Sequence, residues 1–205
     1  MPALHLLVAV HALVLGGCQI NSGRPVESLA PSRAWLAPMQ TRAGVELEQR
    51  FGGLIRSPLV QNRLDRIGRN LLAQMPACPQ RCSFGLLRSE QINALSLAEG
   101  HVYVTAGLYR RLNSEDLLAA ALAHELAHVA AGHGFRPVRG AGARLSREIQ
   151  ADLMAVDCLQ KAGYDPFRLV ELQQIISHVQ DAGWSSRRIA AIRERLSAQP
   201  PVFAR

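Results

Sequence analysis

The residues that most restrict this chain are Leu117 to His133, LLAAALAHELAHVAAGH. Alanine and leucine fill 11 of its 17 positions, so the segment is a strong helix former and fit for burial. Into it are set His124, Glu125 and His128. Residues four apart on a helix lie one turn apart on the same face, so both imidazoles can reach one metal ion, with Glu125 beside it. Burying two histidines and an acid in an apolar helix is costly unless they are used together. Asn113-Ser114-Glu115-Asp116 supplies a cap and acids for the first turn, and Gly132, Gly134 and Pro137 close the segment. His133 follows, a position that a continuous helix would turn away from the metal face, so it reads as structural or exposed.

The spacing also selects where a third ligand comes from. A catalytic zinc usually takes three protein ligands and keeps a place for water. In the metzincin pattern a histidine stands six residues after the second one; here that position is Gly134. The gluzincin alternative is a glutamate on the next helix. Glu148 lies 20 residues after His128, a distance that a helix end, a glycine-rich turn and one returning turn can span. Asp152 is four residues further, on the same face, where an acid can orient a ligand imidazole.

Around this pair the chain reads as a mostly helical α+β domain. Helical periodicity runs from about Val45 to Met75, with Leu59, Leu64, Ile67, Leu71 and Leu72 recurring on one side. Three short strand candidates follow, Ser83–Leu87, Gln91–Leu95 and His101–Thr105, with turns between them that predict a small antiparallel sheet beside the active-site helix. A helix starting near Leu145 ends at Gly163, and two more are expected over Phe167–Gln180 and Ser185–Ala198. Residues 45–198 are thus read as one domain and 199–205 as a tail.

The first 17 residues form an apolar run ending in small residues, read as a signal peptide. Leu15-Gly16-Gly17-Cys18 resembles the lipobox of bacterial lipoproteins, which implies lipidation at Cys18 and a tether over 18–44. No lysine or arginine precedes the apolar run, a departure from the usual signal. Gln19 after the cysteine suggests the outer membrane, with the domain facing the periplasm. In that oxidising compartment Cys78 and Cys82 could close a small disulfide, while Cys158, among apolar helix residues, reads as a buried small side chain. The formal charge is +7, but the basic residues are scattered and all except Lys161 are arginines. There is no basic stripe, so nucleic acid is not an expected partner.

Several motifs together resemble the HtpX/BepA/LoiP family of zinc metallopeptidases, which also includes the CAAX prenyl proteases. They are Asn93-Ala94, HVYVTAGL, LNSEDLLAAALAHELAHVAAGH, EIQAD and AGYDP, spread over roughly Leu87 to Pro166. The resemblance implies one Zn²⁺ per chain on His124, His128 and Glu148, Glu125 as general base, and Asp152 as the family's motif aspartate. It implies cleavage of unfolded or misassembled envelope proteins, bound in extended form along His101–Thr105 or Gln91–Leu95. The connection GHGFRPVRGAGARLSR is shorter than in larger periplasmic members. Many members carry His-Pro shortly before an Arg-Ile pair, with that histidine at the active site. Here Arg188-Ile189 is present but Gly183-Trp184 stands in about that place, and His178 is either the displaced equivalent or a polar helix residue. Two other functions stay open on the sequence: a zinc-binding holdase or assembly factor without turnover, and metal storage or delivery.

Overall fold

The fold was determined as a computed structural model, which describes residues 41–79, 81–136, 138–177 and 182–198. Cys18, the segment before it, most of the tether, the tail and His178 lie outside the described residues. In chain order the elements are α1 (Arg42–Arg50), α2 (Pro58–Leu72), β1 (Ser83–Leu87), β2 (Ala94–Ser96), β3 (His101–Thr105), α3 (Ala106–Tyr109), α4 (Glu115–Ala130), α5 (Ala141–Ala162), α6 (Arg168–Ser177) and α7 (Ala182–Ser197). The architecture is α+β and mostly helical, as expected.

The helix α4 is the axis of the molecule. Ser114 caps it, its hydroxyl accepting from the Leu117 amide at 3.1 Å, and Glu115 and Asp116 occupy the first turn. From Leu117 to Val129 all but His128 is buried. A helix apolar on every side is stable only when covered on every side, and α2, α5, α6 and the sheet do this. One apolar cluster joins α4 to Leu64, Ile67 and Leu71 of α2, to Val102 and Val104 of β3, and to Ala155 and Leu159 of α5. A second cluster, Leu47, Phe51, Leu87, Leu95, Leu97 and Tyr103, lies under α1 on the opposite face of the sheet. The two-residue alternation of β3 divides Val102 and Val104 from Tyr103 in this way.

The sheet corrects two expectations. Its order is β1-β3-β2, with β1 parallel to β3 and β2 antiparallel to it, so the sheet is mixed rather than antiparallel. The segment from Arg88 to Asn93 makes no tight hairpin; it carries the chain across and leaves a slot that β3 fills. Only β2 and β3 are joined by a short turn, with Gly100 donating to the Leu97 carbonyl at 2.9 Å. His101–Thr105 is therefore the central strand, both of whose edges are paired, and cannot receive another chain. The second strand is Ala94–Ser96 rather than Gln91–Leu95, and it forms an edge of the sheet packed against α4. At the other edge, Leu54 bridges to Leu87 and partly covers β1.

The helix expected over 45–75 is two helices. Phe51, Gly52 and Gly53 end α1, and Ser57 with Pro58 restarts the chain as α2. Cys78 and Cys82, the expected disulfide pair, stand here as free thiols. Cys78 is turned inward, its sulfur donating to the Leu126 carbonyl of α4 at 3.3 Å, while Cys82 donates to the Pro79 carbonyl. Cys158 is buried, and burial pushes its thiol up to about 12.

Gly107 in α3 fixes how the chain enters β2. Its amide donates to the Ser89 carbonyl, and a Cβ built there would lie 2.1 Å from the Glu90 carbonyl oxygen and 2.5 Å from that of Gln91. Both neighbours are backbone, so the loop itself would have to move. Gly107→Ala is expected to destabilise the protein by about 2–3 kcal/mol, as overpacking against a rigid neighbour does. Urea unfolding measures this directly, and an unchanged midpoint would show that the loop yields freely.

Candidate metal centre

Because His124 and His128 are one turn apart on α4, their rings project together toward α5. The two Nε2 atoms lie 3.1 Å apart, with the rings edge to face. Glu148, on the second turn of α5, meets both: its Oε2 is 3.4 Å from His124 Nε2 and its Oε1 is 3.5 Å from His128 Nε2. Among the described residues, this is the one group of three potential metal-ligating side chains whose donor atoms converge. A tetrahedral cation with bonds of about 2.0–2.1 Å needs donors about 3.3 Å apart. The separation of the two Nε2 atoms and that of each from its nearer Glu148 oxygen lie on either side of that value, and the donor set of two imidazoles and a carboxylate suits zinc. The residues present therefore fit such an ion.

The charge around them fits as well. Glu125, Glu148 and Asp152 bring three carboxylates to the site, and Arg188 brings one guanidinium. Burial pushes the His124 imidazole down, but Asp152 and Glu148 outweigh it and hold its pKa up at about 9. Burial likewise works against the Glu148 carboxylate, yet His124, His128 and Arg188 keep it well below the usual range.

Asp152 is fully buried, with Oδ1 3.0 Å from His124 Nδ1, on the side of the ring away from Glu148. Arg188 of α7 grips it with two hydrogen bonds, Nε to Oδ2 at 2.7 Å and Nη2 to Oδ1 at 2.8 Å. The same guanidinium reaches Glu148 Oε2 at 3.1 Å. Arg188 is only 1% exposed and carries the largest of the fully buried side chains. Burial opposes its charge, but Asp152 and Glu148 hold it protonated.

Glu125, the next residue along α4, faces the edge strand β2. It is 5% exposed, and the Ser96 hydroxyl of β2 donates to its Oε2 at 2.9 Å. Glu125 and His124 line a small enclosed cavity with Ile92, Asn93, Ile176 and Arg188. Both polar atoms of the Asn93 amide are buried there without a hydrogen-bond partner among the described residues.

The structure thus brings His124, Glu125, His128, Glu148 and Asp152 into one place. His133, read as structural or exposed, turns out to be buried against His128. The helix ends before it, and Gly132 at φ +66° swings the chain back toward α5 in a conformation that most residues avoid. Arg188 and Ser96 were not foreseen as members of the site. The pair Arg188-Ile189 was visible as a motif, but nothing local ties an arginine of α7 to an aspartate 36 residues earlier.

Residues 58–144 match the model of peptidase family M48. The match includes the two histidines and Glu125 and stops before Glu148, Asp152 and Arg188, which the fold supplies. The chain is 30% identical over 137 residues to the β-barrel assembly-enhancing protease of Yersinia pestis, covering 60% of this chain and 28% of that protein. It is 28% identical over 126 residues to the protein of the same name from Escherichia coli K12, covering 54% and 26%. The chain therefore spans little more than a quarter of the length of these relatives.

Arg188 compensates two buried carboxylates, so Arg188→Met should cost about 3–5 kcal/mol, the usual penalty for leaving buried charge unpaired. Denaturant unfolding in the presence of a chelator isolates this effect. A loss below about 1 kcal/mol would mean that Asp152 and Glu148 find other compensation.

Proposed function

We propose that the chain is a zinc-dependent metalloendopeptidase of peptidase family M48, whose model matches residues 58–144. His124, His128 and Glu148 would hold the ion. The observation that carries this reading is the convergence of their donor atoms at 3.1–3.5 Å beside a buried carboxylate that is not needed as a ligand. Zinc at this place would supply a Lewis acid for the scissile carbonyl and acidify the attacking water.

Glu125 would serve as the general base, taking a proton from the attacking water and passing it to the leaving amine. The Ser96 hydroxyl keeps the carboxylate turned toward the edge strand. Asp152, clamped by Arg188, orients the His124 ring. An extended substrate would add to the sheet along Ala94–Ser96, and the Asn93 amide supplies polar groups for a peptide backbone beside Glu125. The relatives' name, together with the lipobox-like Cys18, supports action on envelope proteins from the periplasmic face of the outer membrane. Among the described residues no helix is long and apolar enough to cross a membrane.

One observation favours a second reading. His124 and Glu125 are 4% and 5% exposed, so the site is closed in this conformation, as it would be in a holdase that binds misfolded chains without cutting them. Casein cleavage separates the two. The protease reading predicts cleavage that a chelator abolishes and zinc restores. Glu125→Gln should retain zinc and lose about 10²–10⁴-fold in turnover, the usual contribution of a general base, whereas His124→Ala should lose the metal. Retained cleavage by Glu125→Gln would exclude Glu125 as the base, and casein binding without cleavage by the native chain would favour the holdase.

A further inference from the structure

We propose that His133 and Gln150 are positioning residues that fix the His128 ring so that its Nε2 presents a lone pair to the metal centre, in the way Asp152 does for His124. The proposal rests on the metal reading above and adds two residues to it. His133 Nδ1 lies 2.9 Å from His128 Nδ1, and its Nε2 lies 3.2 Å from Gln150 Oε1. The rings meet edge to face with centroids 4.9 Å apart. The Arg147 guanidinium of α5 donates to the His133 carbonyl at 3.1 Å, anchoring the loop that carries the ring.

One arrangement of protons satisfies these contacts and also leaves His128 Nε2 free to bind a metal ion. Gln150 Oε1 accepts, so His133 Nε2 must carry a proton, and a neutral His133 then offers Nδ1 as an acceptor. Across the 2.9 Å gap His128 Nδ1 must be the donor. That places the proton of His128 on the far side of its ring and leaves Nε2 with a lone pair.

The consequence is a division of labour along one stretch of α5. Arg147, Glu148, Gln150 and Asp152 fall within two turns. Glu148 faces the donor atoms, Asp152 orients one histidine directly, and Gln150 orients the other through His133. Gln150 is itself exposed, so it can be replaced without disturbing the core.

The test uses the full chain with histidine imidazoles labelled with nitrogen-15, free of metal, and then a competition titration with zinc and a chelator. In the native chain His128 is expected to be protonated on Nδ1. His133→Leu should give a mixture of tautomers and weaken zinc binding about 10- to 100-fold, the range seen when such outer partners are removed. His133→Asn places an amide oxygen near the position of Nδ1 and should recover most of the affinity. Gln150→Met should weaken binding in the same direction, by less than His133→Leu, and serves as the test if His133→Leu does not fold. A native His128 protonated on Nε2 would overturn the proposal, as would zinc affinities of His133→Leu or Gln150→Met equal to that of the native chain. If the native chain binds no zinc, the metalloprotease reading fails, and the tautomer measurement alone decides this proposal.

Discussion

Asp152 sits at zero exposure between His124 and Arg188, and much of the centre is arranged around that burial. A carboxylate out of water survives only with partners that satisfy its charge and its lone pairs. Here they come from three helices: the imidazole from α4, the guanidinium from α7 and the Gln173 amide of α6 at 3.4 Å. The crossing of α4 by α5 that satisfies Asp152 also carries Glu148, one turn earlier, to the two Nε2 atoms. The fold and the donor set are thus consequences of one packing arrangement.

This explains why an unusually apolar helix carries the chemistry. A helix covered on all sides cannot move without breaking the core, so its imidazoles are held in fixed directions. The cost is that every polar atom on it must be answered by a neighbouring element. Ser96 of β2 answers Glu125, Asp152 answers His124, and His133 answers His128. The edge strand that would receive a peptide is therefore tied by a hydrogen bond to the carboxylate that would act on it.

The start of α4 was legible in the sequence, because propensity, the Ser114 cap and the apolar run all agree there. Glu148 and Asp152 were within reach of spacing, since a helical return leaves few positions that can face His124 and His128. The sheet order was not, because parallel pairing of β1 with β3 is a long-range choice that strand patterns do not encode. The break between α1 and α2 was written in Gly52-Gly53 and Ser57-Pro58 but was outweighed by the leucine periodicity. His133 escaped because the reading carried α4 past its end, and the left-handed Gly132 changes where the next side chain points. Arg188 lies 64 residues from His124, and only the folded chain puts them together.

The most direct test is zinc K-edge absorption spectroscopy on the purified chain loaded with one equivalent of metal. Two imidazole nitrogens and light oxygen scatterers at about 2.0–2.1 Å, with no sulfur, are what His124, His128 and Glu148 would give. Replacing Glu148 with alanine should remove one oxygen scatterer or abolish binding. A sulfur shell at about 2.3 Å would place the ion on Cys78 and Cys82 instead and contradict the account.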